Sequence, residues 1–178
     1  MMPWNNYSKR KKFSIILLGI LVLGFLVPQD LQMPVQGATR SDYNAESFWY
    51  YPWGQSVTHK GVDIFAKTGT SIHSATHGIV LYAGNIPVGG NIVVALGPKW
   101  RLHYYAHLDA LTTSSFSLVG KSTQIGTVGS TGNAAGKPAH LHYSIMSMIP
   151  YPWRANKGPH GWRKMFYLNP IKYIEAAD

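Results

Sequence analysis

Residues 124–146 read QIGTVGSTGNAAGKPAHLHYSIM, and the end of this stretch decides the fold. From His140 to Ile145, polar and apolar or aromatic side chains alternate. On a strand, residues two apart share one face. His140 and His142 therefore converge on one volume while Leu141 turns the other way, into a core. A strand with one dressed and one apolar face belongs to an antiparallel sheet with a half-solvated surface. Upstream, Gly129 to Gly136 is a turn-rich punctuation mark between this strand and a shorter one at Gln124–Val128.

The same grammar extends outward. Val62–Phe65, Gly78–Ala83, Asn91–Leu96 and Arg101–Leu108 are further short runs rich in β-branched or aromatic residues, separated by Gly84-Asn85, Val88-Gly89-Gly90 and Gly97-Pro98. No window outside the N-terminus keeps a 3.6-residue apolar period, apart from a turn near Ile171–Ala176. The expected fold is mostly β, a small antiparallel β-sandwich or half-open barrel with an N-terminal hydrophobic helix. Three regions follow: 1–28 as basic flank plus signal peptide or anchor, 29–45 as a polar linker, and 46–178 as the folded domain.

The N-terminal region carries Lys9, Arg10, Lys11 and Lys12, then FSIILLGILVLGFLV at 13–27 and Pro28. As a helix, the apolar run reaches roughly 22 Å, short of a hydrocarbon core of roughly 30 Å. That length suits a signal peptide, while the lysines can snorkel to extend an anchor. Both readings leave the basic flank cytoplasmic and export the rest to the cell envelope or periplasm, either anchored in the inner membrane or released after cleavage. A buried core helix fits the charged flank less well.

Composition narrows the chemistry. The 178 residues hold 16 Lys and Arg, 7 Asp and Glu, 8 His and no Cys, for a net charge of +9. Without cysteine there are no disulfides, thiolate nucleophiles or Cys-containing zinc sites, so a metal must rest on His and carboxylate. The positive balance suits anionic wall polymer or an anionic membrane face. Nucleic acid is not expected, since no RNP-like aromatic motif or basic run interleaved with stacking residues is present.

Three clusters offer metal or acid–base chemistry: His59-Lys60-Gly61-Val62-Asp63, His140-Leu141-His142, and His103 to Leu108. In the last, strict alternation places His103, Tyr105 and His107 on one face and Leu102, Tyr104, Ala106 and Leu108 on the other. Mixed His and carboxylate donors suit zinc, whose catalytic sites take three protein ligands and keep a fourth position open. The glutamates, Glu46 and Glu175, are remote in sequence from all three clusters, so a histidine is the better candidate base. The Gly129–Gly132 turn lacks the lysine and spacing of a P-loop.

Taken together, HKGVDI at 59–64, GTSIHSATHGIVLYAG at 69–84, GNIVV at 90–94, YYAHL at 104–108, IGTVGSTGNAAGKPAHLHYSI at 125–145 and NPIKYI at 169–174 resemble the lysostaphin-type, or LytM-like, zinc metalloendopeptidases that act on peptidoglycan. The resemblance runs from about Tyr51 to Ile174. It implies Zn²⁺ on His59, Asp63 and His142, with His107 and His140 as the non-ligand active-site histidines sharing proton transfer and oxyanion stabilisation. It implies peptidoglycan as substrate, cut at a peptide cross-link. A glycine bridge and a D-amino-acid cross-link use the same chemistry, and the GKPAHLH wording resembles Gram-negative relatives with a D-alanyl–diaminopimelate bond. The family also contains members that have lost ligands and act as wall binders or activators, so a silent regulator of another hydrolase, working with an envelope partner, is the alternative. A structural module of a trans-envelope assembly is a third class, without the long coiled coil that would favour it.

Other residues have quieter expectations. His103 is a candidate support for the site, His73 and His77 belong to strand building, and His160 to the surface. Tyr50, Tyr51 and Trp53 either border the cleft or pack on the fold. Residues 146–168, with Arg154, Lys157, Arg163, Lys164, Tyr151, Trp153 and Trp162, form either a substrate-holding lid or an aromatic loop packed on the fold.

Overall fold

The computed structural model describes residues 7–176, leaving the first six residues of the expected leader and the last two of the expected domain outside the description. Nine strands follow a single long helix, α1 (Lys9–Leu26): β1 Val62–Phe65, β2 Ser71–His73, β3 Gly78–Ile86, β4 Gly90–Gly97, β5 Arg101–Leu111, β6 Leu118–Val119, β7 Gln124–Val128, β8 His140–Ser147 and β9 Tyr167–Leu168. A five-residue helix, α2 (Pro170–Ile174), closes the fold, with Asn169 capping it by accepting from Ile171 N.

All nine strands belong to one open antiparallel sheet, ordered β1-β8-β5-β4-β3-β6, with β7 and β2 branching from β5 and β9 pairing β8. The expectation of a mostly β, antiparallel fold holds, and of its two forms, sandwich or half-open barrel, the sandwich of two sheets is replaced by one open sheet that branches. The branch point is physical: β5 pairs β8 as far as Ala106, then its far end pairs β7 from Leu108. His107 sits at the switch with φ +67°, a left-handed backbone rarely adopted by a non-glycine residue. Behind the sheet lies one core, including Val62, Ile64, Ile72, Val93, Tyr105, Leu108, Leu141, Tyr143 and Ile145.

The bend at His107 also corrects a facing assignment. Leu102, Tyr104 and Ala106 line the cleft together with His107, while His103 and Tyr105 are fully buried on the other side. Strict alternation fails at the left-handed residue, which turns His107 onto the face of its even-numbered neighbours.

The stretch 29–45 is not a free linker. Leu31 and Val35 are buried in the core, Val35 bridges Ile72, and Tyr43 bridges Ile64. Gln32 N donates to Ala75 O, His73 N to Pro34 O and Gln36 N to Ser71 O, so the segment covers β2 like a partial edge strand. Helix α1 has no buried residue, which removes the core-helix reading. Among the described residues, no helix is long and apolar enough to cross a membrane.

Candidate metal centre and cleft

Each candidate ligand is placed by pairing of β1 with β8. Asp63 lies opposite His142 in the ladder, and Gly61 keeps the preceding loop against β8, because a Cβ there would overlap Tyr143 O and Ser144 Oγ. That close approach folds His59 back over Asp63. His59 Nε2 lies 3.1 Å from Asp63 Oδ1 and 3.2 Å from His142 Nδ1, and His142 Nδ1 lies 2.7 Å from Asp63 Oδ1.

Tautomers follow from the outer partners. A carbonyl only accepts, so His59 Nδ1, 3.0 Å from Ser47 O, carries the hydrogen and leaves Nε2 bare. His142 Nε2 lies 3.0 Å from Ser144 Oγ, a hydroxyl that can accept from it, and in that tautomer Nδ1 is bare. Two lone pairs and a carboxylate oxygen thus point at one another, an arrangement that asks for a cation. A tetrahedral zinc with ligands at roughly 2.0–2.1 Å has donor–donor edges of roughly 3.4 Å, so the observed triangle is a slightly contracted version. The residues fit zinc, and His59 and His142 have the outer hydrogen bonds that orient metal-binding imidazoles. Burial works to raise the Asp63 pKa, but His142 and His59, which donate to it and add charge when they carry a proton on the facing nitrogen, hold it well below the usual carboxylate range. Burial lowers the His142 pKa against the pull of Asp63, favouring the neutral, ligating form.

Beside the triangle stand two more imidazoles. The His107 ring lies 5.1 Å from that of His140 and 6.1 Å from that of His142. His107 Nδ1 donates to Thr131 O at 2.9 Å and His140 Nδ1 to Pro138 O at 2.8 Å, which leaves both Nε2 atoms as acceptors in the neutral rings. Burial lowers the His107 pKa to about 4; Thr131 O and Asp63 oppose this, while His142 and His140 add to it. His107 is therefore neutral at pH 7. The indole of Trp53 stacks on His59 with centroids 4.2 Å apart, and Tyr104 meets His142 edge-on at 6.3 Å.

All five candidate residues, His59, Asp63, His107, His140 and His142, line a single cleft of about 1000 Å³. His103 is not among them. Its Nδ1 lies 2.7 Å from Tyr143 Oη and its Nε2 3.2 Å from Gln29 Nε2, inside the core. Trp53 borders the cleft, whereas the exposed Tyr50 and Tyr51 are not part of its lining. Within 146–168, Met146 and Tyr167 reach the cleft. The rest packs alongside: Arg154 donates to Lys164 O and Tyr167 O, and Trp49 Nε1 to Pro159 O. Trp153 and Trp162 stay exposed. Sequence reasoning missed Ser144 and placed Tyr104 on the wrong face. Ser144 was readable, since it follows His142 by two.

Comparisons with known proteins give the family and the fold. The family model described as Peptidase family M23 matches residues 57–154. The peptidoglycan DD-endopeptidase ShyA of Vibrio cholerae is 29% identical over 114 residues, covering 64% of this chain and 26% of ShyA. The murein hydrolase activator NlpD of Escherichia coli is 34% identical over 88 residues, 49% of this chain and 22% of NlpD. The chain thus spans about a quarter of the length of these curated relatives. In fold, it is similar to the catalytic domain of lysostaphin from Staphylococcus simulans, with a TM-score of 0.60, 23% identity and coverage of 76% of this chain and 94% of that one.

Proposed function

Since the chain belongs to peptidase family M23, we propose that it is a zinc metalloendopeptidase that hydrolyses peptide cross-links of bacterial peptidoglycan in the cell envelope. The observation that carries this reading is the convergence of bare donors on His59, Asp63 and His142 beside two neutral-capable imidazoles in one cleft.

His59, Asp63 and His142 would hold the metal, with Ser47 O and Ser144 Oγ orienting the two rings. Zinc bound there supplies Lewis acidity, polarising a carbonyl oxygen and acidifying water toward a pKa of about 7. The remaining work belongs to the chain. His107, neutral and with Nδ1–H held by Thr131 O, offers Nε2 as a proton acceptor; His140, held by Pro138 O, offers a second. A protonated imidazole can then donate to the developing oxyanion or the leaving amine, and the pair shares these tasks. Trp53 and Tyr104 pack on the ligand rings and limit their rotation.

The basic, apolar N-terminus supports export, with attachment to the inner membrane or cleavage of the leader. A second reading is favoured by the similarity to NlpD: a catalytically silent, wall-binding regulator of another hydrolase. Mass spectrometry of fragments released from purified peptidoglycan by the zinc-loaded chain, with and without chelator, separates the two. Metal-dependent release of cross-link fragments is expected, and their new termini identify the bond. No release, with zinc and wall binding intact, would replace the peptidase by the regulator.

A further inference from the structure

The walls of the cleft are unevenly charged. They carry one carboxylate, Asp63, already engaged by His59 and His142, and two ammonium groups, Lys60 and Lys137. The register sets these lysines on opposite sides of the candidate metal centre. Lys60 lies in the loop entering β1, whose first paired residue, Val62, faces Tyr143, on the C-terminal side of His142 along β8. Lys137 lies on the turn entering β8, ahead of His140 and on the other side of His142.

Lys60 is held in place without being neutralised. Its ammonium donates to Ser56 O at 2.7 Å and Thr58 O at 3.2 Å. Two carbonyls fix the position of the cation, keep its full charge, and leave the third N–H available. Lys137 is exposed at the far end and, among the described residues, has no acidic partner. An extended chain crossing the two histidines passes one cation on each side.

We propose that Lys60 and Lys137 read carboxylates on the substrate, selecting an acidic peptide with a carboxylate on each side of the scissile amide over a neutral oligoglycine. The identity of that amide as the cleaved bond rests on the endopeptidase reading above; the charge preference is a property of binding alone. A neutral glycine bridge gives the two ammonium groups nothing to pair with, whereas a stem peptide with free carboxylates does.

The test is calorimetric affinity of the full chain, held under chelator to prevent turnover, for three probes: a cross-linked muropeptide with free carboxylates, the same muropeptide with its carboxylates amidated, and pentaglycine. The free acid should bind at least tenfold tighter than either neutral probe, and the preference should shrink with added salt. Lys60→Gln should remove about tenfold of that preference, as expected for a charge-assisted hydrogen bond in a half-buried setting. Lys137→Gln should remove about threefold, because exposed pairs are weaker. Lys60→Arg should retain the preference, which separates loss of charge from damage to the loop. Equal affinity for the acidic and amidated probes, no binding of any probe, or an unchanged preference in both Gln variants would overturn the proposal. A preserved preference without cleavage by the zinc-loaded chain would sustain it while removing the endopeptidase reading.

Discussion

His107 has to satisfy the sheet and the cleft at once. Its left-handed φ of +67° ends the pairing of β5 with β8 and swings the ring toward the candidate metal centre. Its contact with that centre is ring to ring, 6.1 Å from His142, and it supplies no ligand atom. His107→Ala should therefore keep close to one zinc per chain by elemental mass spectrometry while losing about 10²–10⁴ in turnover. Asp63→Ala should instead lose the metal, since it removes the anion and strands two lone pairs facing each other. Full activity in the His107 variant would cancel its assignment. His103 gives a different test. Buried in the core, its pKa is lowered to about 3 by desolvation and then by Arg101. The unfolded chain takes up a proton near pH 6.5 and the folded chain does not, so stability is intact above about 6.5 and falls as pH drops toward 3. At pH 5 the loss from this one group is about 2 kcal/mol. Urea midpoints at pH 7 and pH 5 should show a smaller gap in His103→Gln than in the parent chain.

At the scale of elements, the turn before β8 is what fixes His107 from outside. Thr131 O accepts from its Nδ1, and Thr131 Oγ1 accepts from Asn91 N and donates to Leu108 O. Gly132 lies back to back with Gly90, both at positive φ, and a Cβ on Gly132 would overlap Gly90 N and Val88 O. Gly132→Ala should push Thr131 away from β4, lowering turnover at least tenfold with zinc content unchanged and reducing stability by about 1–3 kcal/mol. Parallel measurement of melting temperature, metal content and turnover checks all three. This turn also shows where sequence reading stops. The pair His140 and His142, one a candidate acid–base residue and the other a candidate ligand, was legible because β8 is regular, with Leu141 buried between them, and β1 and β7 match their expected runs to the residue. The strands β2, β6 and β9 are two or three residues long, too short for a period to register. The inversion at His107 was illegible because alternation assumes an unbroken ladder, and β5 changes partner at that residue.

Over the whole molecule, the largest gap between sequence and structure is the segment before Glu46. Its polar composition, with Pro34 and Gly37, reads as a linker, yet Leu31, Met33 and Val35 alternate and all three pack on the core. The signal was present but brief, and the partner it needed, β2, was itself too short to see. The backbone bonds of Gln32, Pro34 and Gln36 to β2 and its flank tie the segment down, and Gln32 and Asp30 both reach Lys121. At its far end Arg40 and Tyr43 meet Glu175 beyond α2. Burial of one Leu and one Val side chain contributes roughly 1.5–3 kcal/mol each, so their joint loss is a large share of the roughly 5–15 kcal/mol that holds a domain of this size. A chain beginning at Gln29 should therefore unfold cooperatively in urea, whereas one beginning at Glu46 should lose at least about 3 kcal/mol or fail to stay soluble. The cleft lies on the opposite side of the sheet from Leu31 and Val35, so zinc affinity and turnover of any Glu46 chain that does fold should remain within a few-fold of the longer one. Equal urea midpoints for the two chains would return residues 29–45 to the status of a linker.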